Sequence, residues 1–249
     1  MRLICLFALS LSLVANSCFA GSLSKGDVIK LDRGNGAVQG SSSNGGEFSI
    51  WKQVSGGGWE FIAKTFCLEF SEYFALGESL KVGAVSDSAF FSGTTNPLTA
   101  DPLNSTTKFL YDSYMKGTLS SFVSGYQYGN ADSAAALQNA IWSIEGERAL
   151  TGTGNDILAQ SLITYASDQV AANPSRSYPV LVLNLFAFST PDELLNAFNP
   201  LDSSTWAAVQ SYRKQDQLYY APEPTSIAIF ALGLTLVGAN RIRSRFRKA

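Results

Sequence analysis

The sequence predicts an α+β fold in which a strand-rich scaffold carries a helical subdomain, between an N-terminal signal peptide and a C-terminal transmembrane tail. Short runs rich in β-branched and aromatic residues predict the strands, and two longer segments with caps and alanines predict the helices. Apolar runs near both ends predict the flanking segments. The predicted parts are residues 1–20 as signal peptide, 21–212 as extracytoplasmic domain, 213–224 as linker, 225–240 as apolar membrane segment and 241–249 as basic cytoplasmic tail.

The first twenty residues have the pattern of a secretory signal. Arg2 supplies the positive charge, residues 3–15 are almost all apolar, and Ala20 is a small residue before the expected cleavage point. A retained transmembrane helix is disfavoured because the apolar run is shorter than the roughly 18–20 residues that span a bilayer. A lipoprotein signal ending at Cys18 is the other alternative, but the residues before Cys18 lack the usual branched apolar residue.

The strands are predicted from period-two runs bounded by turn residues. Asp27–Leu31 is the first, and Phe48–Trp51 and Trp59–Ile62 flank three glycines as a hairpin. Thr65–Phe70 follows as a strand of aromatic and β-branched character, and Pro179–Phe188 is the most strand-like run of the chain. These runs predict the scaffold.

The helices are predicted from caps and composition. Ala131–Glu145 is the clearest, since alanines favour a helix and Asn130 or Asp132 can cap it. Asp156–Ala171 is a second, capped by Asn155. Shorter helices are expected at Thr107–Lys116, Pro191–Phe198 and Ser203–Gln210. Residues 82–104 are expected to be turn-rich, and residues 213–221 to lead out of the domain.

Composition excludes several classes of function. The chain has 249 residues, 18 basic and 20 acidic, and no histidine. All the acidic residues but only 12 basic ones lie between residues 21 and 224, so this part has a formal charge of −8. Nucleic-acid binding requires a basic surface and is not expected. The absence of histidine excludes Ser-His-Asp and Cys-His hydrolase sites and His-ligated zinc.

One cysteine is expected in the exported protein. Cys5 and Cys18 leave with the signal peptide, so Cys67 remains and no internal disulfide can form. A lone cysteine is most often a small, inert, buried apolar residue. A free thiol in an oxidising compartment is otherwise a liability unless it is used.

Gln138 lies on the apolar face of the clearest helix, between Ile141 and Trp142 on the helical wheel. A buried carboxamide without partners costs roughly 1–3 kcal/mol, so a backbone group satisfies it or it has reacted. A thiol held against a carboxamide in a dry site can expel ammonia and form an internal thioester. Enforced proximity and exclusion of water favour this reaction, which needs no cofactor and no metal.

Other constellations are weaker. Glu145 with Glu147, or Glu69 with Glu72, could be the paired carboxylates of a glycoside hydrolase, but solvated surface charge is expected for them. Three aspartates lack the spacing of a calcium loop, namely Asp132, Asp156 and Asp168. Residues 152–154 lack the rest of a phosphate-binding fingerprint.

Two short motifs resemble the Cys-Gln thioester domains of bacterial surface adhesins. They are Phe66-Cys67-Leu68 and the helical run at residues 137–142, and their order and separation also fit. The resemblance covers residues 50–190 and implies that Cys67 is the thiol and Gln138 the acyl donor. The known adhesins are mostly wall-anchored proteins of Gram-positive bacteria, and the C-terminal tail of this chain is a departure from that pattern.

The C-terminal residues resemble a PEP-CTERM sorting signal. Pro222-Glu223-Pro224 precedes the apolar stretch Ile227–Ala239. A basic cluster follows at Arg241, Arg243, Arg245, Arg247 and Lys248. Positive charge stays on the cytoplasmic side, so the body is expected outside. The resemblance implies an exosortase-type sorting enzyme as partner; an ordinary tail anchor would share the same topology.

Together these features predict an exported protein, anchored in the inner membrane before processing and then placed at the cell surface or outside the cell. It would react once with a surface amine or hydroxyl on a protein or polysaccharide, as an adhesion or matrix-linking protein and not an enzyme. The first alternative is a non-reactive structural protein of the surface or exopolysaccharide matrix with a buried thiol. A secreted glycan hydrolase is a third.

Overall fold

A computed structural model describes residues 22–41, 45–90 and 100–221, which form eight strands and five α-helices. The predicted mixture of helix and strand is confirmed. The predicted signal peptide, the Pro-Glu-Pro motif, the apolar membrane segment and the basic tail lie outside the described residues. Within the described ranges, no helix is both long and apolar enough to cross a membrane.

Six of the strands form one antiparallel sheet. Across the sheet their order is β3 (Trp59–Thr65), β2 (Phe48–Gln53), β1 (Val28–Asp32), β4 (Ser79–Ser86), β7 (Val180–Ala187) and β8 (Arg213–Tyr220). Strands β5 (Ser88–Ala89) and β6 (Asp101–Pro102) form a small second sheet. The predicted hairpin is β2–β3, in which Gln53 pairs with Trp59 across the glycine turn. Gly56 and Gly57 have φ of 92° and 84°, a conformation that favours glycine in a tight turn.

The two outer strands of the sheet meet beyond the end of β3. Leu68 N donates to Asp216 O at 3.0 Å, and Leu218 N donates to Phe66 O at 3.1 Å. Between these bonds Cys67 lies opposite Gln217 in an isolated antiparallel bridge. The chain after β3 therefore pairs with β8, and Cys67 lies where the two edges join.

The predicted linker at residues 213–224 is wrong for residues 213–220. Arg213–Tyr220 is strand β8, which pairs with β7 from Phe186 opposite Arg213 to Val180 opposite Tyr220. The side chains of residues 215–217 are buried and hydrogen-bonded although they are polar. Buried strand positions normally carry apolar residues, so the sequence does not show the usual pattern of a strand here. The domain therefore extends past residue 212, at least to Ala221, whose N–H donates to Pro179 O at 2.8 Å.

Strand β4 corrects the turn-rich prediction for the residues that follow Val82. This strand lies between β1 and β7 in the sheet, and its register shifts between Val82 and Ala84. The residue between them is Gly83, and no larger residue fits there because the ring of Phe186 occupies the position of a Cβ. A central glycine with a register irregularity weakened the strand signal in the sequence.

The described residues form five α-helices, of which four fall close to predicted bounds, and the second in chain order was not predicted. They are α1 (Ser105–Met115), α2 (Leu119–Phe122), α3 (Ala131–Ile144), α4 (Asn155–Ala172) and α5 (Asp192–Ala197). Asn130 caps α3 as predicted, since its side chain accepts from Ser133 N at 3.0 Å. The predicted Asn155 cap is wrong, because α4 begins at that residue with Gly154 at the cap position. The helix expected at Ser203–Gln210 is also wrong: only short 3₁₀ turns form there.

Helices α1, α3 and α4 pack on one face of the sheet. The shared core joins Phe66 and Leu68 after β3 with Leu137 and Ile141 of α3, all 2 % exposed or less. Burial of such side chains contributes about 1.5–3 kcal/mol each. This packing presses α3 against the segment that carries Cys67.

Candidate functional site

Cys67 is buried in the segment that closes the sheet. Its exposed fraction is 2 %, and both its neighbours, Phe66 and Leu68, face the helical core. The thiol is free. Backbone pairing with β8 on both sides holds the position of Cys67 against movement along the strand.

Gln138 lies on the buried face of α3 and reaches Cys67. Cys67 N donates to Gln138 Oε1 at 3.1 Å, and Gln138 Nε2 donates to Cys67 O at 2.8 Å. The side chain of Gln138 is fully buried. The two residues singled out in the sequence are therefore in contact, and the glutamine faces inward as the helical wheel predicts. These bonds also satisfy the buried carboxamide with backbone groups, the outcome expected of an unreacted glutamine.

A second glutamine contacts the sulfur itself. Gln217 Nε2 donates to Cys67 Sγ at 3.5 Å and to Gln215 O at 3.3 Å. Its Oε1 is buried without a hydrogen-bond partner among the described residues. Gln217 is not a candidate from the sequence, because the polar composition of residues 213–224 predicts a linker. Only the alternation of Gln215 and Gln217 about Asp216 would have suggested one face of a strand.

Gly45 packs closely against two side chains of α3, Gln138 and Trp142. A Cβ at this residue would lie 2.6 Å from Gln138 Cγ and 2.7 Å from Trp142 Cη2. Neither distance is tolerated between carbon atoms, so any larger residue would displace one of the two side chains. The glycine therefore permits Gln138 to keep its contact with Cys67.

The Cys67 thiol is neutral at physiological pH. Burial raises the pKa of Cys67 to about 12; the Glu69 carboxyl acts in the same direction, and the Gln217 hydrogen bond and Arg33 oppose it. A neutral thiol is a weak nucleophile, so attack on a carbonyl requires loss of the proton in the same step. The Cys67 N–H already points at the carbonyl oxygen that would receive negative charge.

A cavity of about 290 Å³ opens beside Cys67. It is lined by Gly45, Cys67, Phe70, Glu72, Tyr73, Trp142 and Gln215. Phe70 packs edge-on against Trp142, with ring centroids 5.0 Å apart, and is 45 % exposed. The wall of the cavity therefore includes two aromatic rings in contact with each other and the residue that carries the thiol.

Glu72 is the acidic residue on the wall of this cavity. Its side chain is 10 % exposed and forms an ion pair with Arg213 Nε at 3.0 Å. Burial raises the pKa of Glu72 to about 7; Arg213 opposes the shift and Glu147 adds to it. A carboxyl in this state exchanges protons near neutral pH.

The expectation of solvated surface charge is wrong for Glu69. This residue is 3 % exposed, and its Oε2 accepts from Asp216 N at 2.8 Å. Burial raises the pKa of Glu69 well above its usual range, as do the neighbouring Asp216 and Glu72 carboxyls. Glu145 and Glu147 are partly buried, and Glu147 Oε2 accepts from Phe70 N at 3.2 Å. The Glu69 carboxyl therefore joins the segment after β3 to the backbone of β8.

Helix α3 is fastened next to Gln138 by a buried ionic cluster. Asn139 Nδ2 donates to Asp156 Oδ1 at 2.8 Å, and Arg148 contacts both carboxylate oxygens at 3.3 Å. Thr151 N and its hydroxyl each donate to Asp156 Oδ2 at 2.7 Å. Burial opposes the charge of Asp156, but the Thr151 bonds and Arg148 outweigh it and lower the pKa. The cluster sets where α3 lies relative to α4.

Asp132 and Asp168 are not brought together with Asp156. Asp132 Oδ1 accepts from Ser41 Oγ near the start of α3, and Asp168 lies exposed near the end of α4. Across the described ranges, no group of His, Cys, Asp and Glu is arranged to hold a metal ion. The sorting motif and the basic cluster lie outside these ranges.

No family model, curated protein or solved structure matches the chain.

Proposed function

We propose that this chain is an exported surface or matrix protein that binds a partner covalently through an internal thioester between Cys67 and Gln138. One observation carries the proposal: the carboxamide of a fully buried glutamine lies against the backbone of a buried cysteine, at 2.8 and 3.1 Å. Such enforced proximity favours a reaction that is poor in water. The protein reacts once and is not an enzyme.

Formation of the thioester joins Cys67 Sγ to Gln138 Cδ. The thiol proton passes to the amide nitrogen as the C–S bond forms, the C–N bond breaks, and ammonia leaves. The Cys67 N–H, 3.1 Å from Oε1, stabilises the oxyanion of the tetrahedral intermediate. Burial of both residues excludes the water that would hydrolyse the product.

The partner opens the thioester with an amine or hydroxyl. The nucleophile bonds to Gln138 Cδ, the C–S bond breaks, and the sulfur recovers a proton as the Cys67 thiol. The cavity beside Cys67, about 290 Å³, is large enough to admit an alkyl amine or hydroxyl side chain. The partner stays attached through an amide or ester to the side chain of residue 138.

The ends of the sequence support the location. The signal peptide at residues 1–20 directs export, and residues 225–240 anchor the chain in the inner membrane until an exosortase-type enzyme processes it at the Pro222-Glu223-Pro224 motif. The acidic body favours neither nucleic acid nor an anionic surface.

Intact mass of the purified domain tests the proposal. We expect a mass one ammonia below the sequence value, restored in Cys67→Ala and Gln138→Ala, and addition of methylamine to residue 138. Gln160→Ala, an exposed glutamine of α4, is the matched control and should keep the deficit. Full mass, with an unmodified glutamine at 138 and a titratable thiol after unfolding, contradicts the proposal. Glutamate at position 138 instead reveals a thioester already hydrolysed.

A non-reactive structural protein of the surface or exopolysaccharide matrix is the second candidate. It is favoured by the neutral state of the thiol, whose pKa burial raises to about 12, and by the backbone bonds that satisfy Gln138. This protein would have the full sequence mass and would not take up methylamine.

A further inference from the structure

We propose that Glu72 is the general base that takes the proton from the nucleophile as it opens the thioester. The inference rests on the proposed function, and it assigns a role to a residue outside the Cys67–Gln138 pair. It concerns only the opening step, because formation of the thioester moves a proton between Cys67 and the leaving nitrogen.

The position of Glu72 is the first support. Glu72 and Cys67 line the same cavity, and Gln138 is hydrogen-bonded to the backbone of Cys67, so this cavity is the route that we assign to the incoming nucleophile. The Glu72 side chain is 10 % exposed, so it is sheltered from bulk water while it borders the cavity. A proton acceptor on the wall of the access route is where a base for an incoming group is required.

The charges around Glu72 are the second support. Arg213 on β8 faces it at 3.0 Å. Glu147, which follows α3, raises the pKa of Glu72. Glu72 in turn raises the pKa of two buried carboxyls, Glu69 and Asp216. Arg213 favours the carboxylate form of Glu72, whereas burial and Glu147 favour its protonation. Near neutral pH Glu72 therefore both accepts and returns a proton.

The other acidic groups nearby are less suited to the role. Glu69 is 3 % exposed and accepts from Asp216 N, and it does not line this cavity. Glu147 accepts from Phe70 N and lines a different, much smaller cavity. Among the described residues that line the cavity beside Cys67, Glu72 is the only acidic one.

The step balances without a further reactant. The nucleophile's nitrogen or oxygen bonds to Gln138 Cδ while its proton passes to a Glu72 oxygen. The C–S bond then breaks with its electron pair on sulfur, and the proton passes from Glu72 to Cys67 Sγ. Glu72 ends as a carboxylate and Cys67 as a thiol.

The experiment follows opening of the thioester by methoxyamine between pH 6 and 8.5. Methoxyamine is uncharged over this range, so its own titration does not contribute to the profile. Opening is measured as mass gain and as thiol released after quenching into denaturant. We expect the wild-type rate to rise through about pH 7 as Glu72 ionises. Glu72→Gln should lower the rate about 10²-fold and flatten the profile.

Two further variants make the result decisive. Glu60→Gln changes an exposed glutamate of β3 and should keep the wild-type rate and profile. Glu72→Asp keeps a carboxylate near Arg213 and should restore part of the rate together with its rise with pH. Wild-type kinetics in Glu72→Gln would overturn the role of Glu72. Intact mass before mixing separates this from failure of the proposed function, since the ammonia deficit is then missing in the wild type as well.

Discussion

At the residue scale, two glutamines meet one cysteine in different ways. Gln138 bonds to the backbone N–H and C=O of Cys67, whereas Gln217 donates to its sulfur. The first arrangement places a carbonyl carbon beside the residue, and the second orients the thiol. We therefore assign the acyl group to Gln138 and a positioning role to Gln217.

Replacing Gln217 by leucine tests this division. Gln217→Leu keeps the volume but removes the N–H that orients Cys67 Sγ, so the fraction of protein lacking one ammonia should fall while some remains. The cost in stability should be small, about 1 kcal/mol, because a buried Oε1 without a partner disappears together with the N–H. Intact mass and urea unfolding measure the two effects.

Gln138→Leu is the matched comparison and should abolish the deficit. A deficit retained in Gln138→Leu but lost in Gln217→Leu would assign the acyl group to Gln217 instead. An unchanged yield in Gln217→Leu would show that the N–H to sulfur contact has no part in formation of the thioester.

At the element scale, helix α3 carries Gln138 and depends on its attachment to α4. Asp156 receives bonds from Asn139, which follows Gln138 directly, and from Arg148 beyond the end of the helix. A shift of α3 by a fraction of a turn would move Gln138 away from Cys67. The cluster therefore supports the contact between Cys67 and Gln138 on which the proposed reaction depends.

Asp156→Ala should lower the free energy of unfolding by about 3 kcal/mol, because it leaves a buried amide and a guanidinium without their acceptor. It should also lower the yield of thioester, since α3 loses its fixed position. Urea unfolding and intact mass measure both. Asp168→Ala, on the exposed face of the same helix, should change neither quantity; equal losses in the two variants would contradict the role of the cluster.

The elements that could be predicted are those in which the apolar residues of the sequence are also the residues that the structure buries. Helix α3 has alanines, an Asn130 cap and one apolar face, and the inward direction of Gln138 followed from that face. Strand β8 could not be predicted, because the buried side chains of residues 215–217 are polar and their hydrogen-bond partners come from distant parts of the chain. Gln217 was missed with it, and so was the closure of the sheet at Cys67.

Glu72 illustrates the same limit within the site. The sequence places it five residues after Cys67, which is compatible with any orientation in an irregular segment. Its cavity position depends on Arg213, and the strand that carries Arg213 was not predicted. Local pattern therefore identified the two residues that the structure brings into contact, Cys67 and Gln138, and only tertiary contacts identified the groups around them.

At the scale of the whole molecule, the acidic body buries several of its carboxyls. Burial raises the pKa of Asp216 to about 8, with Glu72 acting in the same direction and the bonds from Asn184, Leu185 and Phe90 opposing. Burial likewise raises the pKa of Glu145 and of Glu72, each to about 7. The folded protein therefore holds protons near neutral pH that the unfolded chain releases.

This difference predicts how stability depends on pH. A carboxyl whose pKa is raised on folding binds its proton more tightly in the folded state, so its contribution is complete below the unfolded value of about 4 and is lost as pH rises through about 7 to 8. The free energy of unfolding should therefore fall from pH 5.5 to pH 8.5, by up to about 1.4 kcal/mol per pH unit for each group. Urea unfolding at constant ionic strength measures it.

Glu145→Gln, which keeps an acceptor for Asn104 N, should make the slope of stability against pH shallower, and the exposed Glu60→Gln should leave it unchanged. Stability that rises over this range would mean that the buried carboxyls are ionised in the folded protein, and Glu72 could then not change its protonation state near pH 7.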